Sequence, residues 1–165
     1  MSHVKGTFLV TGANGGLGRA IVSKVASSPS LSAYHGIYTV RDATTTTPAL
    51  DAALRHAAPS NSSTGSHSYD KMSLDLSRLS DVRDVAKVIN ARVAAGEIPP
   101  IRALVLNAGY QEFGTQTWTE EDKLDMTFTV NYLGHWLLAL LLLQSMDREM
   151  GRVVWISSWS HKQVD

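Results

Sequence analysis

Thr11-Gly12-Ala13-Asn14-Gly15-Gly16-Leu17-Gly18 follows the apolar run Phe8–Val10 and opens a helical apolar pattern. Gly12, Gly16 and Gly18 leave the backbone bare where a side chain would forbid the turn or block a close ligand. The helix that follows presents unpaired N–H groups and the positive end of its dipole. A glycine-rich loop between a strand and a helix predicts a seat for a dinucleotide diphosphate, and a turn without a ligand is the alternative.

The composition is that of a globular chain without a strong charge bias. A length of 165 residues suits one domain, residues 1–165, with a core of its own. The formal net charge is zero and no stripe of lysine and arginine stands out, so we expect no nucleic-acid partner. There is no cysteine, which excludes disulfides and thiol chemistry, and we assign no metal site.

Two observations bear on the compartment. The longest apolar stretch, Trp136–Leu143, is too short to cross a bilayer. Met1–Gly6 leads directly into the first apolar run and leaves no room for a signal peptide. We therefore expect a cytoplasmic protein with no membrane span.

Segments with strand and helix patterns alternate along the chain. Strands are predicted at Phe8–Val10, Gly36–Val40, Met72–Leu74, Ile101–Leu106 and Arg152–Ser157. Helices are predicted at about Gly15–Ser27, at Ala49–His56, from the cap Ser80 to the stop at Gly96, and from a capping box at Thr119 to roughly Met146. This alternation predicts an α/β fold, a doubly wound parallel sheet of about five strands with helices on both faces. A Ser/Thr-rich stretch at about 57–68 is predicted to be a mobile loop.

Arg41 directly follows the second predicted strand, which in this architecture ends beside the adenosine ribose. A guanidinium there can grip a 2′-phosphate, so Arg41 favours NADP as the cofactor, with NAD as the second candidate. The neighbouring Asp42 partly cancels the local field. An ordinary exposed arginine is the alternative interpretation.

Four motifs together are similar to those of one enzyme family. They are the T-G-x-x-x-G-x-G pattern of Thr11–Gly18, Leu106-Asn107-Ala108-Gly109, Val130-Asn131-Tyr132-Leu133-Gly134, and Ser157-Ser158. In this order they resemble the short-chain dehydrogenase/reductase family over essentially the whole chain. The resemblance implies a Rossmann-like fold and hydride transfer between NADP(H) and a small-molecule carbonyl compound or secondary alcohol.

The resemblance also implies a set of cofactor-binding residues. Those in the first loop are Thr11, Gly12, Asn14, Gly16, Leu17 and Gly18. Asp75, after the third strand, resembles the family's aspartate that bonds the adenine amino group, and an Asx turn is the alternative. Asn107, Ala108 and Gly109 resemble the residues that let the backbone run against the cofactor, and ordinary turn chemistry is the alternative.

Two further residues resemble catalytic ones. Asn131 resembles the asparagine that helps to hold a water in a proton relay, and a polar residue at a kink beside Gly134 is the alternative. Ser158 resembles the serine that bonds the substrate carbonyl oxygen, and a hydroxyl ending a strand is the alternative.

The chain departs from the family pattern after Ser158. The family's acid is a tyrosine four residues before a lysine, yet none of the five tyrosines here follows Ser158 or has a lysine at that spacing. The fold is therefore predicted to be incomplete at its C-terminal side, inactive alone, and a homo-oligomer through the long helix around Leu133–Leu143. The alternatives are a non-catalytic NADP(H)-binding module that dimerises with a complete relative, and a truncated gene product.

Overall fold

The computed structural model describes residues 4–56 and 67–158, and these build one parallel five-stranded sheet in the order β3-β2-β1-β4-β5. The strands are β1 (Thr7–Val10), β2 (His35–Val40), β3 (Tyr69–Ser73), β4 (Ile101–Leu106) and β5 (Arg152–Trp155). All four strand pairings are parallel. The predicted α/β fold with a doubly wound parallel sheet is confirmed.

The helices are α1 (Gly16–Ser27), α2 (Pro48–His56), α3 (Leu79–Ala94) and a long helical segment, Met126–Ser145, which we call the long helix. Neighbouring strand residues face opposite layers: Leu9 packs in a core with α3 and the long helix, and Val10 in a core with α1 and α2. This alternation buries both faces of the central strands, because side chains along a strand point to opposite sides.

The third strand begins earlier than predicted. It spans Tyr69–Ser73 instead of Met72–Leu74, although the Leu74 N–H still donates to the Val40 carbonyl at 2.8 Å. Among the described strands β3 pairs only with β2, so it is an edge. Its first residues are polar or exposed, and an apolar pattern could not reveal them. The predicted mobile loop lies outside the described residues except for its last two, and His67 is buried.

The prediction that the long helix starts at Thr119 is wrong. The helix begins at Met126, where the Asp125 side chain caps it by accepting the Phe128 N–H at 2.7 Å. Thr119 instead closes a tight turn, since its backbone N–H donates to the Leu124 carbonyl at 2.8 Å. Lys123 has a φ of 54°, which a helix does not allow. The Thr-x-x-Asp pattern therefore marks a turn ahead of the helix.

The long helix contains a π turn at Thr129–Leu133 before it continues as an α-helix at Gly134–Leu142. A Cβ at Gly134 would lie 2.6 Å from the Leu76 carbonyl oxygen, so only glycine allows this close packing. By length and composition it is the one described helix that could cross a membrane. It is nevertheless a core helix, because Leu138 and Leu142 are fully buried against the sheet layer.

The fifth strand is short and lies at the other edge of the sheet. It spans Arg152–Trp155, two residues fewer than predicted, and within residues 4–56 and 67–158 it pairs only with β4. Val153 and Val154 are exposed, as expected for a sheet edge.

Candidate dinucleotide site

A cleft of about 620 Å³ opens at the C-terminal ends of the parallel strands. This is where open α/β sheets bind their ligands. All eleven residues that the sequence assigned to the cofactor line it: Thr11, Gly12, Asn14, Gly16, Leu17, Gly18, Arg41, Asp75, Asn107, Ala108 and Gly109. They come from four separate stretches of the chain, which the sheet order brings to one edge.

The glycines of the first loop serve two different needs. Gly12 has a φ of 65°, and a Cβ there would lie 2.8 Å from the Ala108 Cα. A Cβ at Gly18 would lie 2.2 Å from the Gly12 carbonyl oxygen. The protein's own packing therefore requires both. A Cβ at Gly16, by contrast, would meet nothing within 4 Å beyond its chain neighbours and the adjacent backbone of its own helix, although Gly16 is the first residue of α1 and lines the cleft.

Thr11 and Asn107 join the ends of β1 and β4. The Thr11 hydroxyl oxygen accepts the backbone N–H groups of Asn107 at 2.9 Å and Ala108 at 3.0 Å. In return the Asn107 side-chain amide donates to the Thr11 carbonyl at 2.9 Å. Thr11 is fully buried, so these bonds fix the floor of the cleft.

Arg41 is exposed on the cleft wall beyond β2, and its guanidinium makes no hydrogen bond or ion pair with any residue that the structure describes. The carboxylate of Asp42 is occupied in its own turn, accepting the Thr44 hydroxyl at 2.6 Å and the Thr44 N–H at 2.8 Å. These bonds hold the pKa of Asp42 below its usual range. Asp42 therefore forms no ion pair with Arg41.

Asp75 lies in the cleft and also builds an Asx turn. One carboxylate oxygen accepts the Ser77 hydroxyl at 2.7 Å and the Ser77 N–H at 3.0 Å. The alternative interpretation from the sequence is thus seen in the structure. The two interpretations are compatible, because the other carboxylate oxygen makes no hydrogen bond within the described residues.

The two residues assigned to catalysis do not line the cleft. Asn131 lies within the π turn and is bound to the backbone of Tyr110, accepting its N–H at 2.7 Å and donating to its carbonyl at 2.8 Å. Ser158 follows β5 and is exposed. The structure therefore brings Asn131 against the cleft wall through Tyr110, whereas Ser158 is not among the residues that line the cleft.

Sequence reasoning missed His135, which is 1% exposed and lies 2.9 Å from the Thr11 hydroxyl through its Nε2 atom. Burial lowers the pKa of His135 to about 4. The available signal was a histidine four residues after Asn131 in an apolar helix. A polar side chain at that spacing lies on the same helix face as Asn131.

A polar clamp at the cleft rim was also missed. Arg78 lines the cleft and donates to one Glu121 oxygen from Nε at 3.1 Å and from Nη2 at 2.9 Å. Ser80 donates to the other Glu121 oxygen at 2.7 Å. These bonds lower the pKa of Glu121, with the Ser80 bond the larger cause. The clamp fastens the turn before the long helix to the start of α3.

A family model described as short chain dehydrogenase matches residues 6–164. The chain belongs to the short-chain dehydrogenase/reductase family. Short-chain dehydrogenase iccH of Talaromyces variabilis is 49% identical over 161 residues, covering 97% of this chain and 42% of that protein. Retinol dehydrogenase 13 of Homo sapiens is 31% identical over 157 residues, covering 94% of this chain and 42% of that protein.

A solved short-chain dehydrogenase/reductase supports the same placement. A metagenomic short-chain oxidoreductase crystallised in complex with NADP is 27% identical to this chain, with a TM-score of 0.69 over 98% of this chain and 66% of that one. This chain spans about two fifths of the length of both curated relatives named above.

Proposed function

We propose that this chain binds NADP(H) and serves an oxidoreductase that transfers a hydride between NADP(H) and a carbonyl compound or secondary alcohol, with NAD as the second candidate cofactor. The observation that carries the cofactor preference is Arg41, a guanidinium without a partner among the described residues on the wall of the cleft. A 2′-phosphate is the group that such a fork binds in two parallel hydrogen bonds.

The residues present fit a dinucleotide. The space above Gly16 is open at the first turn of α1, where unpaired N–H groups and the helix dipole would bind a diphosphate. Arg41 would hold the 2′-phosphate and Asp75 the adenine amino group. Asn107, Ala108 and Gly109 would form the wall beside the rest of the cofactor. When bound, NADP(H) supplies or accepts the hydride, and the protein orients it.

Asn131 and Ser158 are the side chains that we propose for catalysis in the complete enzyme. Ser158 would donate a hydrogen bond to the substrate carbonyl oxygen, and Asn131 would help to hold a water in a proton relay. No tyrosine follows Ser158 in this sequence. We therefore propose that the 165-residue chain binds the cofactor without turning over a substrate, and a cytoplasmic location stays a prediction.

One titration tests the proposed function. NADPH fluorescence is followed as the protein is added, and turnover is then assayed with a panel of carbonyl compounds. We expect binding without turnover. Absence of both binding and turnover would contradict the proposal and favour a gene product without function, whereas turnover by this chain alone would show that it carries its own acid.

Arg41→Ala is expected to weaken NADPH binding by about tenfold to a hundredfold and to change NADH binding by less than about twofold. The reason is that a hydrogen bond to a charged group contributes about 1.5–3 kcal/mol, and NADH lacks the 2′-phosphate. Arg55→Ala is the matched control, since Arg55 is exposed on α2 and does not line the cleft. Equal losses of affinity for both cofactors would contradict the assigned role.

We also propose a homo-oligomer through the long helix around Leu133–Leu143. The support is a row of apolar side chains on this helix, each about half exposed: Phe128, Tyr132, Trp136, Leu140 and Leu143. Contiguous apolar surface of this kind is typical of an interaction site.

Light scattering at micromolar concentration is expected to give at least twice the 17.9 kDa of one chain. Leu140→Lys should lower that mass, because it places a charge in the apolar row. Val88→Lys, at a similarly exposed position on α3, should not. A wild-type monomer that binds no hydrophobic dye would count against the oligomer.

A further inference from the structure

The segment Asn107–Tyr110 forms the cleft wall where β4 ends, and both of its ends are held by side chains from distant parts of the chain. Its first two N–H groups donate to the hydroxyl of Thr11. Its last residue is gripped through its N–H and carbonyl by the amide of Asn131. The position of this wall therefore depends on the position of Thr11 and Asn131.

His135 contacts both of these anchors. Its Nε2 lies 2.9 Å from the Thr11 hydroxyl oxygen, and its Nδ1 lies 3.4 Å from the backbone carbonyl oxygen of Asn131. The imidazole is 1% exposed. It packs edge-to-face against the indole of Trp155, with the ring centroids 5.9 Å apart. One buried ring thus connects the N-terminal loop to the π turn of the long helix.

The direction of each hydrogen bond follows from counting donors. A threonine hydroxyl has one hydrogen and two acceptor sites. The N–H groups of Asn107 and Ala108 fill both acceptor sites of Thr11, so its hydroxyl must donate to Nε2 of His135. Nε2 is therefore unprotonated. The neutral ring carries its hydrogen on Nδ1, which donates to the Asn131 carbonyl.

We propose that His135 is a positioning residue, which fixes the Asn107–Tyr110 wall of the dinucleotide cleft by holding Thr11 with one ring nitrogen and Asn131 with the other. This inference rests on the proposed function for its effect on cofactor binding. Its effect on the wall is independent of any ligand. His135 does not line the cleft, so it acts only through its two partners.

The wild-type tautomer gives the first test. The ¹⁵N chemical shifts of the His135 ring at pH 7, measured in the full chain without ligand, should show hydrogen on Nδ1 and none on Nε2. A ring that only filled space would not require this particular tautomer. An Nε2-protonated ring, or a mixture of tautomers, would overturn the proposal even if every variant failed to fold.

Three variants test the contacts of the two ring nitrogens of His135 separately. His135→Gln keeps an acceptor near Thr11, His135→Asn keeps a donor near Asn131, and His135→Phe keeps the ring shape and loses both. Amide exchange of Asn107 and Ala108 should become at least about tenfold faster in the Asn and Phe variants. Exchange of Tyr110 should become faster in the Gln and Phe variants. His35→Gln is the matched histidine control, because His35 is the first residue of β2 and the cleft lies at the other end of that strand.

NADPH binding provides the functional readout. We expect His135→Phe to weaken binding about tenfold, with smaller losses for the Gln and Asn variants and none for His35→Gln. Unchanged NADPH affinity and unchanged exchange in His135→Phe would overturn the proposal. If the wild-type chain binds no NADPH, the proposed function fails, while the tautomer and the exchange pattern still decide the role of His135.

Discussion

Gly16→Val is expected to weaken NADPH binding by at least about a hundredfold while the midpoint of thermal unfolding stays within about 2 °C of the wild type. Beyond its chain neighbours and the adjacent backbone of its own helix, nothing lies within 4 Å of a Cβ at Gly16, so a side chain there has room in the folded protein. The same space is where we place the diphosphate, which must approach the helix N-terminus closely. Binding and stability should therefore separate at this position.

The contrast with Gly18 sharpens this experiment. A Cβ at Gly18 would collide with the Gly12 carbonyl oxygen, so Gly18→Ala should lower stability as well as binding. Ala20→Val adds side-chain atoms to an exposed position of the same helix and should change neither. Binding is measured by NADPH fluorescence and stability by thermal unfolding. Normal NADPH affinity in Gly16→Val would contradict the placement of the diphosphate at this loop.

Acid is expected to destabilise the protein through His135. Burial places its pKa at about 4 in the folded state, against the usual 6.5 of an exposed histidine. Between these values the unfolded chain binds a proton that the folded chain excludes, so stability falls as the pH drops. The contribution is fully present above pH 6.5 and is lost progressively toward pH 4, by about 3 kcal/mol in total.

The measurement is the free energy of unfolding in urea at several pH values between 4 and 8. His135→Gln, which carries no titrating group, provides the reference curve, so that the difference from the wild type isolates this residue from the other titrating groups. The wild type should lose stability relative to His135→Gln over that range. Parallel curves would show that His135 titrates normally in the folded protein.

The sheet could be predicted from the chain because each central strand is a short apolar run. Ile101–Leu106 is buried on both faces and is apolar almost throughout, so its limits are those predicted. The edge strand β3 includes the charged residues Asp70 and Lys71, which are partly exposed. A search for apolar runs therefore could not locate the start of this strand. The predicted helix start at Thr119 was wrong for a different reason, because capping motifs and tight turns use the same residue types.

The candidate site divides in the same way. Each cofactor residue lies in a glycine-rich loop or just after a strand, and both positions can be recognised from the local sequence. The order of the strands in the sheet then brings these residues together at one edge. His135 and Thr11 are 124 residues apart, and nothing local to either residue specifies their contact. The clamp between Arg78 and Glu121 likewise joins residues 43 positions apart. Such pairings depend on how the long helix is seated against β1 and β4.

The wide turn at Thr129–Leu133 makes the spacing of the chain as important there as its chemistry. The π turn takes up one residue more than an ordinary helical turn, so winding the same five residues as an ordinary helix would rotate everything beyond them by about 100°. His135 would then swing away from Thr11. The extra residue in this turn therefore sets which face of the long helix meets the N-terminal loop.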